Sequence, residues 1–149
     1  IFIKKLIKLT PNIKYDLYGM DNIQPVWSQN FKDNALNSKI GLNISQGKPL
    51  KFYSSDRITQ IVGNGLVCLI DEKTKYRDFF SDKEMVFYKN LSDLSEKILK
   101  ISRDDKSRKS IAKKGKYKYM KYFNSDLVAD FIIKKSINIK IKNKLLWQN

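Results

Sequence analysis

Residues 56–71 constrain the fold more than any other stretch of this chain. Ile58, Ile61 and Val62 recur at helical spacing, Gly63-Asn64-Gly65 stops the helix, and Leu66-Val67-Cys68-Leu69-Ile70 is a continuous apolar run of strand length. Just upstream, Ser38 to Ser45 places Ile40, Leu42 and Ile44 in a second buried strand. A polar loop, 46–55, carries Gly47, Pro49, Ser54 and Ser55 and feeds the helix that opens near Asp56. Strand, polar loop and helix start together make an anion-holding device. The unpaired N–H groups and the positive end of the helix dipole face the loop. Arg57, in the first turn, adds a bidentate clamp for a phosphate.

The same residues also have plainer uses. Arg57 fits an exposed helix start that pairs with Asp56 or another carboxylate. Ser54 and Ser55 fit loop donors to a phosphate or simple helix caps. Asn43 and Ser45 stand at the carboxyl end of a strand, where open α/β sheets bind ligands. Glu84 fits a structural hydrogen bond better than a site role. The Lys113–Lys121 stretch fits a solvated helix face better than a membrane or polyanion surface, and Tyr117, Tyr119 and Tyr122 fit packing better than base stacking.

Elsewhere the pattern is mixed. Ile1, Phe2, Leu6 and Leu9 form one helical stripe over 1–9, which Pro11-Asn12 ends. Lys14 to Tyr18 is strand-like and closes at Gly19. Residues 21–30 read as loop, 31–37 as a short helix and 75–80 as a helical turn. Met85 to Tyr88 reads as a strand. Leu91, Leu94, Ile98 and Ile101 then mark a helix capped by Asn90. A second helix opens at Asp104 or Asp105 and runs toward Tyr122, and a third starts after Ser125. Ile139 to Asn149 alternates Ile and Lys. Strands alternating with helices predict an α/β fold: a parallel sheet from strands near 14–18, 40–44, 66–70 and 85–88, with flanking helices and a helical C-terminal region.

The chain has 149 residues, enough for one domain with a real core, and its 42% hydrophobic content argues against disorder. Its net charge is +15. Only Arg57, Arg77, Arg103 and Arg108 are arginines, and phosphate and base recognition favours Arg forks. The charge therefore reads as a compositional bias toward Lys, Ile and Asn. The lone cysteine, Cys68, lies in the apolar run and suits a reduced, cytoplasmic chain. The chain has no histidine, which excludes Ser-His-Asp triads, Cys-His dyads and His-built metal sites within it. The opening Ile1-Phe2-Ile3-Lys4-Lys5 lacks an initiator Met and a signal layout, and reads as an internal cut in a longer protein.

The arrangement resembles the nucleotide-sugar-binding, C-terminal half of a GT-B glycosyltransferase, more narrowly the spore-maturation CgeB-like group. Matching residues are Ser38-Lys39-Ile40-Gly41-Leu42-Asn43-Ile44, Ser55-Asp56-Arg57 with Gln60 and Gly65, and Asp78-Phe79-Phe80. Glu84-Met85-Val86-Phe87-Tyr88, Asp93-Leu94 and Ile111-Ala112-Lys113-Lys114-Gly115 continue the series. The resemblance covers roughly 14–133. It implies a Rossmann-like domain over 1–133 that lacks its first strand, followed by a basic tail over 134–149. It implies a nucleoside diphosphate sugar as donor substrate, with Arg57 on the leaving diphosphate and Asn43, Ser45, Ser54, Ser55 and Gln60 around the donor. It implies no cofactor and no metal, because dipoles and Arg57 carry the counter-charge. The acceptor would be a glycan, lipid or protein. An N-terminal acceptor domain, which usually holds the catalytic base, would precede this chain, and without it the segment would be inactive. Gln60 stands where the family has a ribose-binding Glu, and one amide carbonyl holds a hydroxyl less strongly than a carboxylate. Asn124-Ser125 stands where the family has a His-Thr pair and keeps only a helix cap.

A reading of another class is a noncatalytic basic module for nucleic acid or an anionic membrane, driven by Lys. The two separate on one observation: whether the basic residues cluster on one face once folded. Nucleic acid is the less expected partner, and a peripheral membrane contact is compatible with either reading.

Overall fold

A computed structural model describes residues 2–45, 47–53, 55–141 and 145–148. Ile1, Ser54, and part of the expected Ile/Lys tail lie outside the described residues. Six helices and three strands follow the order α1 (Phe2–Leu9), α2 (Ser28–Asn37), β1 (Ile40–Asn43), α3 (Asp56–Gly63), β2 (Val67–Asp71), β3 (Val86–Tyr88), α4 (Leu91–Arg103), α5 (Asp105–Tyr122), α6 (Ser125–Ser136), among the described residues. Short 3-10 turns, Glu72–Thr74 and Tyr76–Asp78, link β2 to β3.

The sheet is parallel, in the order β1-β2-β3, with Gly41 opposite Cys68, Leu42 opposite Leu69 and Ile70 opposite Phe87. A parallel ladder with both faces buried needs apolar residues at every position of its central strand, which is what 67–70 supplies. Alternation then divides the core. Cys68 and Ile70 join Ile58, Ile61 and Val62 of α3, with Phe80, Met85 and Phe87. Val67 and Leu69 join Leu6 of α1 and Leu94, Ile98 and Ile101 of α4. Helices thus cover both faces, as the α/β expectation requires. Cys68 is 1% exposed, and burial pushes its thiol up to about 12.

The helix ends follow the sequence signals. Leu66 N–H reaches Ile61 O and Gly65 N–H reaches Val62 O, both at 3.0 Å, with Gly65 at φ +77. This double closure of the α3 end needs a left-handed residue, hence Gly65, and the Leu66–Ile61 contact behind it lies in the core. Asn90 caps α4 through Asp93 N–H, Asp104 caps α5 through Ser107 N–H, and Asn124 caps α6 through Leu127 N–H.

The expected strand over 14–18 is absent: those residues form no regular element and pair with no strand. Of the aromatics that signalled a strand, Tyr15 is spent on side-chain packing, while Tyr18 is exposed and donates to Asn34 Oδ1 at 2.6 Å. Ile13 and Tyr15 pack against the α1/α4 core, and Tyr15 Oη lies 2.6 Å from Thr10 Oγ1. The sheet therefore has three strands, and α2 begins at Ser28 rather than near 31.

Two glycines set how closely the helices approach. A Cβ on Gly41 would collide with the Ile61 side chain, so β1 admits α3 only without one. A Cβ on Gly115 would collide with the backbone carbonyl of Glu84, where α5 crosses the start of β3. Ile61 has other rotamers, whereas a backbone carbonyl held at the start of β3 cannot step aside. Gly115→Ala is expected to destabilise the domain by about 2–3 kcal/mol despite alanine's better helix propensity. Gly41→Ala is expected to cost about 1–2 kcal/mol in the wild type but little in an Ile61→Ala background, which removes the γ and δ carbons that a Cβ would strike. Urea unfolding of the wild type, the three single variants and Gly41→Ala/Ile61→Ala measures both, and an equal cost of Gly41→Ala in the two backgrounds would contradict the packing described.

Candidate functional site

The carboxyl edge of the sheet gathers the ends of all three strands, and the sequence candidates fall there unevenly. β1 ends at Asn43, which is 4% exposed; its side-chain oxygen accepts from Ser55 Oγ at 3.4 Å. Ser55 is the residue before α3, but its side chain makes no cap bond. Arg57 comes back across the same junction. Its Nη1 donates to the Ile44 carbonyl at 2.6 Å. It is exposed, and the partner is a backbone carbonyl rather than Asp56. Asn43, Ser55 and Arg57 therefore meet where the strand ends and the helix begins. Ser45 is half-buried two residues past the strand. Gln60 is exposed one turn along α3, on the stripe it shares with Arg57 at i,i+3, and is not brought to Asn43 by any contact. Ser54 lies outside the described residues.

Three residues the sequence did not single out complete this edge. Asp71 Oδ1 accepts from Lys73 N–H at 2.8 Å, and the Asp71 carbonyl accepts from Thr74 Oγ1 at 2.6 Å. The Thr74 carbonyl in turn accepts from Phe52 N–H at 2.8 Å. The loop after β1 is thus tied to the turn after β2. Phe52 adopts φ 58, a left-handed conformation uncommon for an aromatic residue, and its ring lies 4.9 Å from Phe79. An Asp closing a turn two residues on was legible in Asp71-Glu72-Lys73. Phe52 gave no signal. At the end of β3, burial pushes the Tyr88 phenol up to about 12, with the Asp71 carboxylate and Cys68 adding to the shift.

The other candidates lie away from this edge. Tyr119 packs in a ring cluster with Phe80 and Phe123, and its Oη lies 2.8 Å from Thr59 Oγ1. Tyr117 does not pack: it is 69% exposed. Glu84 sits at the opposite end of β3, where it accepts from Ser81 N–H at 2.7 Å and Ser81 Oγ at 2.6 Å, with Lys118 Nζ at 3.7 Å. Burial opposes its charge, but the Ser81 bonds and the Lys118 ammonium outweigh burial and hold the carboxyl below its usual range.

Two shallow grooves run along α5, also away from the carboxyl edge. One, of about 420 Å³, is lined among others by Lys83, Lys106 and Lys114. The other, of about 560 Å³, is lined among others by Lys113, Lys114, Tyr117 and Lys121.

The family model described as glycosyl transferase-like matches residues 1–134. The chain belongs to the glycosyl transferase-like family. No curated protein and no solved structure matches it significantly. A parallel sheet with helices on both faces is consistent with the Rossmann-like half of a GT-B member of that family, and the family acts on nucleotide-sugar donors and acceptor substrates. Among the described residues, no helix of this glycosyl transferase-like domain is long and apolar enough to cross a membrane.

The lowered Glu84 value fixes a pH dependence. A carboxyl whose folded value is depressed stabilises the fold above its ordinary value near 4.5, and this is lost as pH falls through the lowered value. Glu84→Gln is expected to cost about 1 kcal/mol at neutral pH and to converge with the wild type in acid. Unfolding curves across the acid limb test this. A gap that persists at the lowest pH would assign the loss to packing.

Proposed function

We propose that this domain binds a nucleoside diphosphate sugar at the carboxyl edge of its sheet and stabilises the diphosphate as it leaves. One observation carries the reading. Arg57 is held at the strand-to-helix junction by Ile44, at the N-terminus of α3, in a chain of the glycosyl transferase-like family. In glycosyl transfer the bond from the anomeric carbon to the diphosphate breaks and the diphosphate takes the electron pair. The acceptor oxygen bonds that carbon and loses its proton to a base. Negative charge therefore grows on the phosphate oxygens, and a guanidinium beside a helix N-terminus stabilises it where it develops. The phosphate takes guanidinium donors in competition with the Ile44 carbonyl, and a charged acceptor is the stronger one.

The remaining roles follow from position. Asn43 and Ser45 line the cleft floor, Ser55 offers a donor from the start of α3, and Gln60 holds a ribose hydroxyl from the exposed stripe of α3; by sequence, Ser54 is a further candidate donor. The base is not a histidine of this chain, since it has none. On this reading the counter-charge comes from Arg57 and the α3 dipole without a cofactor or metal. The order of motifs fits the CgeB-like group, and the reaction runs in the cytoplasm with an acceptor-binding domain completing the site. Residues 1–133 form the donor domain, and a basic tail begins in the last turn of α6. The Lys-rich face of α5 is the clustering that a basic binding module would show, but the meeting of Asn43, Ser55 and Arg57 at the sheet edge supports the glycosyl transfer reading separately from it.

Arg57→Ala is expected to weaken binding of a nucleoside diphosphate by about 1.5–3 kcal/mol, the scale of a hydrogen bond to a charged group. Binding of the nucleoside alone changes little. Arg57→Lys recovers part of the loss, because an ammonium cannot present a planar fork. Calorimetry with both ligands and all three proteins decides. Equal losses for nucleoside and nucleotide would mean that Arg57 serves only to close the β1–α3 junction.

A further inference from the structure

Helix α5 carries eight cations, Lys106, Arg108, Lys109, Lys113, Lys114, Lys116, Lys118 and Lys121, against one carboxylate, Asp105. That is close to half of the chain's net +15 in a single helix. The charge is not spread as a general bias would spread it. The distribution around the helix is equally uneven. Arg108, Ala112 and Gly115 are buried, and Arg108 is spent on Asp105 at 3.0 Å. The outward face is then Lys106, Lys109, Lys113, Lys114 and Lys121, with Tyr117 at its centre.

Surface helices usually intersperse the two signs, and like charges at i,i+4, such as Lys109 with Lys113 and Lys114 with Lys118, repel each other. Nothing acidic follows Asp105 in α5 to relieve this. The carboxylates on the groove walls are already committed: Asp82 to Arg77, Asp104 to the cap of α5, and Glu84 to Ser81 and Lys118. The face is a standing positive surface with its local counter-ions assigned elsewhere.

We propose that the outward face of α5 docks on an anionic membrane surface. Three features select a bilayer over a nucleic acid. Every exposed cation of the face is a Lys, a compact charge on a flexible stem suited to mobile headgroups, while the Arg of this helix, with its fork geometry, is buried. Tyr117, at its centre and 69% exposed, has the amphipathic ring that headgroup layers accept. Exposed aliphatics follow directly on α6 and beyond it, Ile132, Ile133, Ile137 and Ile139, interleaved with Lys134, Lys135 and Lys140. A lipid interface covers such side chains, and a phosphodiester chain does not. The groove along α5, about 560 Å³ between Lys113, Lys114, Tyr117 and Lys121, has room for a phosphorylated headgroup. The surface lies apart from the carboxyl edge and stands whether or not that edge binds a donor.

Sedimentation with phosphatidylcholine vesicles, with and without phosphatidylserine, tests it. The protein is expected to bind only the phosphatidylserine vesicles and to be released by salt. Lys113→Gln/Lys114→Gln/Lys121→Gln is expected to lower partitioning by about 100-fold at low salt. Tyr117→Ala is expected to lower it several-fold. The control Lys5→Gln/Lys8→Gln/Lys32→Gln removes the same charge from elsewhere and is expected to change it little. Circular dichroism confirms that each variant folds. Equal losses for the two triple variants would reduce the effect to overall charge and overturn the proposal. So would equal binding to both kinds of vesicle, or tighter binding to single-stranded RNA than to phosphatidylserine vesicles.

Discussion

Strand β2 has no wet side, and the rest of the architecture answers to that. Val67, Cys68, Leu69 and Ile70 are all essentially inaccessible to water. Alternate side chains therefore need cover from two directions, and neighbouring backbone must pair on both edges. β1 and β3 meet the second demand. α3 on one side and α1 with α4 on the other meet the first. α5 cannot belong wholly to either layer. Ala112 packs with the α4 side and Tyr119 with the α3 side, because the helix passes over the start of β3 at Gly115. The domain is built by wrapping one dry strand.

The same constraint places the chemistry. All three strands run the same way, so their carboxyl ends and the loops that leave them share one edge. The helix after β1 must return its amino end to that edge, and Arg57 in its first turn arrives beside the strand it has just left. The basic face of α5 lies apart from that edge because its grooves are walled by residues 82–84, which precede β3. The proposed donor site lies on that edge, opposite in the sheet to the start of β3.

What could be read from the sequence was what rests on local spacing. The β2 run, the glycine stop at Gly65, the Asn90 and Asn124 caps and the three late helices all depend on neighbours within a few residues. The 14–18 segment misled because aromatic residues favour strands and helix packing equally, and only tertiary contacts decide between them. At the site, the meeting of Arg57 with the first strand was implied by its place in the helix. That its partner would be the Ile44 carbonyl was not, because a backbone acceptor leaves no mark in composition. Phe52 was invisible for the same reason: its backbone N–H, not its ring, reaches Thr74. The reading of Lys113 to Lys121 as a solvated helix face fits Lys113, Lys114, Lys116 and Lys121, which are exposed, whereas Lys118 turns to Glu84, a partner distant in sequence.

The Phe52–Thr74 bond has a mechanical meaning. Through it the loop leaving the first strand and the turn leaving the second become one body. A molecule that grips only the first loop therefore also pulls on the segment that carries Asp71 and leads into β3. Two contact regions, separated by a helix and a strand in the chain, would tighten or loosen together. Any ligand gripped at that edge would then be held by the pair of loops rather than by either alone.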